Sequence, residues 1–148
     1  GANVLCNDIV PNKGDNYAMQ FSINEKKEKS NIISLHTNLN ETSLFLINNY
    51  FIDECKNPFY IINTSRGECL KTSDLVEGLK SGKILGACLD VIENESTSFE
   101  EIDSNNDLDY LKNSKNVIIT PHIAGWTYES KVDLSKVILE KIKHIFDL

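Results

Sequence analysis

Three residues of this chain could together work on a small acid: Arg66, Glu95 and His122. An imidazole titrates near neutrality, so His122 can give or take a proton. A carboxylate beside it, such as Glu95, favours the imidazolium and fixes the ring. The Arg66 guanidinium can grip a carboxylate with two parallel hydrogen bonds. That set suits redox chemistry on a small hydroxy or keto acid. Each residue alone has a plainer reading, since a lone histidine is more often a surface or core residue than a catalytic one. Their spacing does not show that the three meet. Asp8 has a separate logic. A carboxylate at the end of a first strand can accept both hydroxyls of an adenine ribose and repel a 2′-phosphate. An Asp that only opens a turn accounts for it equally well.

The elements that must position these groups alternate between apolar runs and segments of helical period. Residues 3–7 (NVLCN) read as a strand ending on Asp8, followed by a polar stretch with Pro11 and Gly14 as turn makers. Ser22 with Glu25 three residues on forms a capping box for a short helix through Lys29. Residues 32–37 (IISLHT) and 59–63 (FYIIN) read as buried strands, and 42–55 carries helical spacing with a break at Asn48 and Asn49. Thr72 or Ser73 caps a helix that ends at Gly82, and 85–91 is a strand. Residues 92–107 read as a polar surface excursion, 108–111 as a helical turn and 117–120 (VIIT) as a strand. Thr127 then caps a long helix whose apolar face runs Leu134, Ile138, Ile142, Ile145.

Strands that are apolar throughout and alternate with helices predict an α/β fold, a doubly wound parallel sheet covered on both faces. Such sheets bind ligands beyond the carboxyl ends of their strands. Asp8, His36, Arg66, Asp90 and His122 all follow predicted strands, so with Glu95 they are expected on one edge of one sheet.

Composition narrows the function. With 22 acidic and 15 basic side chains the 148 residues carry a formal charge of −7, which argues against a nucleic-acid partner. No apolar run of about 18 residues is present, so no membrane partner is expected. The start has no basic segment leading into an apolar one, and a cytoplasmic protein is expected. Cys6, Cys55, Cys69 and Cys88 are irregularly spaced, and His36, His122 and His144 have no metal-binding spacing. Four reduced thiols and no metal are the expectation.

Four blocks, IISLHT with Leu39, IINTSRG (61–67), LKSGKILGACLDV (79–91) and NVIITPHIAG (116–125), together resemble the D-isomer-specific 2-hydroxyacid dehydrogenases. That family includes D-3-phosphoglycerate dehydrogenase. The resemblance covers essentially the whole chain. It implies NAD as cofactor and a small 2-hydroxy or 2-keto acid as substrate, with 3-phosphoglycerate, lactate, glycerate and glyoxylate all open. It implies Arg66, Glu95 and His122 as catalytic residues. Glu95 stands five residues after the aspartate of LDV, with Glu93 a nearby decoy. The implied coenzyme cleft comprises Asp8, Thr37, Thr64, Ser65, Arg66, Asp90, His122, Ile123, Ala124 and Gly125.

The chain departs from the family in three places. Asn38 stands where a proline is usual. Trp126 replaces a small residue, either shaping the cleft mouth or packing on the final helix. The seven glycines form no G-x-G-x-x-G loop. Residues 1–148 are therefore expected to be an incomplete, Rossmann-type NAD-binding domain without its first strand and glycine loop, and with the substrate domain absent. The implied parent is an oxidoreductase, a homodimer when intact. A corepressor-like NAD(H)-sensing protein is the alternative from another class, and the chain alone is expected to be inert and to bind NAD poorly.

Overall fold

A computed structural model describes residues 1–95 and 106–146. Six parallel strands form in two groups: β1 (Val4–Cys6) with β2 (Ala18–Gln20), and a four-stranded sheet ordered β3 (Ile32–Leu35), β4 (Phe59–Asn63), β5 (Ile84–Leu89), β6 (Val117–Ile119). Among the described residues five α-helices accompany them, with a 3-10 turn at Gly67–Cys69: α1 (Ile23–Lys29), α2 (Asn49–Glu54), α3 (Thr72–Ser81), α4 (Asn106–Asn113) and α5 (Tyr128–Phe146). The fold is α/β and a partial Rossmann-type domain. Parallel strands in sequential order, joined by crossover helices, are what the alternation predicts.

Several local signals act as expected. Ser22 and Glu25 close the capping box of α1. Gly82 ends α3 at φ 76, where a side chain would be strained. Thr127 caps α5, its Oγ1 accepting from the Ser130 N–H at 3.0 Å. Three readings differ. The break at Asn48 is the start of α2, because its side chain accepts from the Phe51 N–H; residues 41–45 form turns built on Asn40 and Ser43. The polar segment after β1 is followed by a strand, β2, too short to show a period. Neither Thr72 nor Ser73 caps α3; the helix begins at Thr72, whose N–H donates to Glu93 from a distant loop. The reading of 92–107 as a surface excursion falls mostly on 96–105, which lie outside the described residues; Val91 and Ile92 before them are buried.

The core lies on one face of the four-stranded sheet. Phe59, Ile61, Ile84, Ala87 and Leu89 point into it, against Phe51 and Ile52 of α2, Leu75, Val76 and Leu79 of α3, and Leu111 of α4. On the other face Ile32 is 61% exposed and Ile118 63%, and Tyr60 and Cys88 are exposed too. Among the described residues nothing covers that face, and α5 buries none of its side chains. The strands therefore read as apolar throughout although one face alone is packed here. The β1–β2 pair attaches through α1: Lys27 pairs with Glu54 of α2, its Nζ lies 4.9 Å from the Phe51 ring, and its carbonyl accepts from the Lys56 N–H.

One-sided packing makes a contrast between neighbours. Phe59→Ala should cost about 3–5 kcal/mol by opening a core cavity. Tyr60→Ala, on the open face, should cost no more than about 1 kcal/mol. Urea unfolding of both variants checks this, and equal costs would mean that the open face is covered in solution.

Candidate active site

The register of the sheet builds the site. Leu35 is level with Asn63, Asn63 with Leu89, and Leu89 with Ile119, so four strands end on one row. Just past that row stand His36 and Thr37, the Thr64–Ser65–Arg66 turn, Asp90, and the loop of Thr120 and His122. Arg66 and His122 thus follow strands that end on the same edge.

The turn after β4 is shaped by a residue that sequence reasoning passed over. Asn63 is fully buried. Its Oδ1 accepts from the Ser65 N–H at 3.1 Å and from the Ser65 hydroxyl at 2.9 Å, while its Nδ2 donates to the Arg66 carbonyl at 2.9 Å. A buried amide with both ends used locks the turn. Ser65 is buried and Thr64 and Arg66 are exposed. One guanidinium N–H of Arg66 donates to the Ser65 carbonyl at 2.6 Å; among the described residues its other donors have no partner. A buried Asn closing an apolar strand just before a turn was the available signal.

Asp90 organises the loop on the other side. It is 4% exposed, and its carboxylate accepts from the Thr120 hydroxyl, from the Ile123 N–H at 2.9 Å and from the Ala124 N–H at 2.9 Å. Its carbonyl takes the His122 N–H at 2.9 Å. Burial alone would push the carboxyl up; hydrogen bonds from Thr120, Ala124 and Ile123, with His122 nearby, outweigh it and hold Asp90 below its ordinary value. His122 takes φ 52, a left-handed backbone rare for a side-chain-bearing residue.

The imidazole meets its carboxylate. His122 Nδ1 lies 2.7 Å from Glu95 Oε1, with the His122 side chain 47% exposed and that of Glu95 16%. Glu95 also takes the Ile92 N–H at 3.4 Å on its other oxygen. Glu93 faces away, accepting the Thr72 N–H at 2.8 Å. Gly67, directly after Arg66, presses on the Ile92–Glu93 peptide: a Cβ there would come within 2.0 Å of the Ile92 oxygen. Only glycine allows that approach.

The remaining candidates are more dispersed. Asp8 follows β1 in the separate two-stranded sheet, so it does not share one sheet with the others; its Oδ1 accepts from the Val10 N–H at 2.8 Å, the geometry of an Asx turn. The carboxylate is exposed. Thr37 donates to the Asn38 carbonyl and touches the Cys69 thiol at 3.6 Å. His36 is bonded to Ser34 on its own strand. Gly125 is exposed, and its carbonyl accepts from the Ser130 hydroxyl. Trp126 is 76% exposed, so it does not pack on the final helix. All four cysteines are free, and among the described residues no group of three potential metal ligands gathers.

Residues 1–124 match the profile of the D-isomer specific 2-hydroxyacid dehydrogenase NAD-binding domain. The chain belongs to that family. It is 35% identical over 142 residues to an aromatic 2-oxoacid reductase of Clostridium sporogenes, covering 92% of this chain and 43% of the relative. It is 32% identical over 140 residues to a D-lactate dehydrogenase of Staphylococcus aureus, covering 90% of this chain and 42% of that one. Among solved structures, a D-lactate dehydrogenase with NAD+ from Lactobacillus jensenii superposes with a TM-score of 0.82 at 32% identity, over 95% of this chain and 44% of that one. The chain thus spans about two fifths of the length of the 2-hydroxyacid dehydrogenases it matches.

Asp90 makes a pH-dependent contribution in this dehydrogenase domain. A carboxyl with a depressed folded pKa stabilises the fold above its unfolded value, and that contribution is lost as pH falls through the folded value. Asp90→Asn puts an amide donor against backbone donors and should cost about 2 kcal/mol at neutral pH. The gap to wild type should narrow at an acid pH below the ordinary carboxylate range, where wild type loses the same charge. Urea midpoints at both pH values test it; a gap independent of pH would contradict it.

Proposed function

We propose that this chain is the coenzyme-binding part of an NAD-dependent oxidoreductase that moves a hydride between NAD and the CH–OH carbon of a small D-2-hydroxy acid. The observation that carries the reading is the 2.7 Å pairing of His122 Nδ1 with Glu95, at a sheet edge that Arg66 also borders. With Glu95 on Nδ1, the neutral ring carries its free lone pair on Nε2. Nε2 is then the atom that takes the hydroxyl proton in oxidation and returns it in reduction. Glu95 holds the ring in that tautomer and balances the imidazolium charge. Arg66 offers its remaining N–H groups to the substrate carboxylate, which orients the carbon that changes oxidation state.

The residues present fit NAD at two of its ends. The exposed Asp8 carboxylate suits ribose hydroxyls, and the exposed loop of His122 to Gly125 borders the acid–base pair. Bound NAD supplies the hydride acceptor. Asp90, Ile123 and Ala124 contribute by shape, since their polar groups are spent on one another.

Relatives named for lactate and for aromatic 2-oxoacids support a small unphosphorylated acid as substrate; 3-phosphoglycerate draws no support from them. A homodimeric parent belongs to the same proposal on the family resemblance, and a cytoplasmic setting on the irregular cysteine spacing of the sequence.

In the intact parent, His122→Ala should lower kcat roughly 10²–10⁴-fold while leaving NADH binding nearly unchanged. Glu95→Gln should move the pH profile of kcat/KM downward, and Arg66→Lys should raise KM, because an ammonium cannot copy the fork. Profiles of wild type and Glu95→Gln that superimpose would reject the pairing as the acid–base device.

Asp8 supports a separate expectation. Asp8→Ala should weaken NAD and relieve the repulsion of NADP. An unchanged coenzyme preference in steady-state kinetics would leave Asp8 as a turn residue only.

A further inference from the structure

The two sides of the site are joined by one peptide. The chain leaves β5 at Leu89, passes the buried residues Asp90, Val91 and Ile92, and reaches Glu93. There the Glu93 carboxylate takes the Thr72 N–H at 2.8 Å. Thr72 is the first residue of α3, and Lys71 before it gives no side-chain cap. A carboxylate at a helix N-terminus satisfies an orphan donor and meets the positive end of the helix dipole. One residue on, Asn94 takes φ 59, a turn that asparagine tolerates better than most. The next residue is Glu95, on His122. From the other side, Gly67 lies against the Ile92–Glu93 peptide so closely that a Cβ would approach the Glu93 nitrogen to 2.5 Å.

We propose that Glu93 is a positioning residue: anchored on the start of α3, it holds the loop of residues 92–95 so that Glu95 meets His122 and the Arg66–Gly67 turn rests on the same peptide. The inference rests on His122 and Glu95 being the acid–base pair. Its reason is geometric. Only Asn94 separates the anchored carboxylate from the working one. The loop closes on itself through the Glu95 N–H on the Ile92 carbonyl at 3.2 Å and the Ile92 N–H on Glu95 at 3.4 Å. Glu93 therefore ties a closed turn to the start of α3, and its release lets that turn shift as a unit. A hydrogen bond of 2.7 Å weakens steeply once the carboxylate drifts beyond about 3.5 Å.

The test uses the 148-residue chain itself and needs no turnover. The ring protons of His122 are titrated by NMR, with His36 and His144, the other two histidines, as internal controls. Among the described residues two carboxylates bond to the His122 loop: Glu95 on the ring, and Asp90 beneath the backbone. Glu95→Gln should lower the titration midpoint of His122, because the imidazolium loses its anion. Glu93→Ala should lower it in the same direction by at least about half as far. Glu93→Gln keeps an oxygen for the Thr72 N–H and should superimpose on wild type. Thr72→Pro removes the donor instead, at the helix position that accepts proline best, and Lys71 at φ −73 and ψ 116 suits the residue before a proline. It should reproduce Glu93→Ala, and it decides the matter if Glu93→Ala does not fold. Selective movement of His122, with both controls still, is what a general loss of structure would not produce. If Glu95→Gln moves His122 while Glu93→Ala and Thr72→Pro leave it at the wild-type midpoint, the positioning role is overturned and the pair stands. If Glu95→Gln moves nothing, the pair and this inference fall together.

Discussion

The site depends on one buried carboxylate. Asp90 gathers the His122 N–H on its carbonyl and the next two amides on its side chain, with the Thr120 hydroxyl beside them. That convergence sets the backbone of His122, whose left-handed φ costs on the order of 1–3 kcal/mol. Hydrogen bonds to a charged acceptor contribute about 1.5–3 kcal/mol each, so two of them already outweigh the strain. The loop is bent because the carboxylate is there, and the bend aims the imidazole at Glu95.

A division of labour follows along the sheet edge. Asn63 and Asp90 sit at or just past the ends of β4 and β5, and both are buried with their polar atoms fully engaged. Among the described residues no buried side-chain nitrogen or oxygen lacks a partner. Next to them Arg66 and His122 are exposed. Buried polar groups shape the turns, and the side chains proposed to do the chemistry stand on the surface beside them. Parallel register makes this possible, since it ends four strands on one row and stacks their loops on one side.

Much of this was legible in the order of residues. The strand cores, the capping box at Ser22, the C-terminal glycine at 82 and the cap at Thr127 are local signals, decided within a few residues by backbone sterics and donor satisfaction. The motifs around Arg66 and His122 were legible through resemblance. What misled was local chemistry settled by distant groups. Thr72 looks like a helix cap, yet the helix takes its capping acceptor from Glu93, 21 positions away. Residues 42–45 have helical spacing, yet Asn40 and Ser43 offer side-chain oxygens that compete with the helix for backbone N–H groups.

Sequence by itself determined the period and polarity of each element, the strand-to-loop boundaries that carry the reactive residues, and which groups could exchange protons. Tertiary structure alone decided which of those groups touch. Glu93 and Glu95 are two residues apart and chemically alike, and only the fold sends one to a helix start and the other to an imidazole. Apolar stripes likewise mark a face without naming its partner: the face of β4 bearing Phe59 and Ile61 is buried, while α5 buries none of its side chains. The physical reason is the same in both cases. A residue's intrinsic preferences act over a turn or two of chain, whereas pairing and burial depend on what long-range folding brings to within a few ångströms.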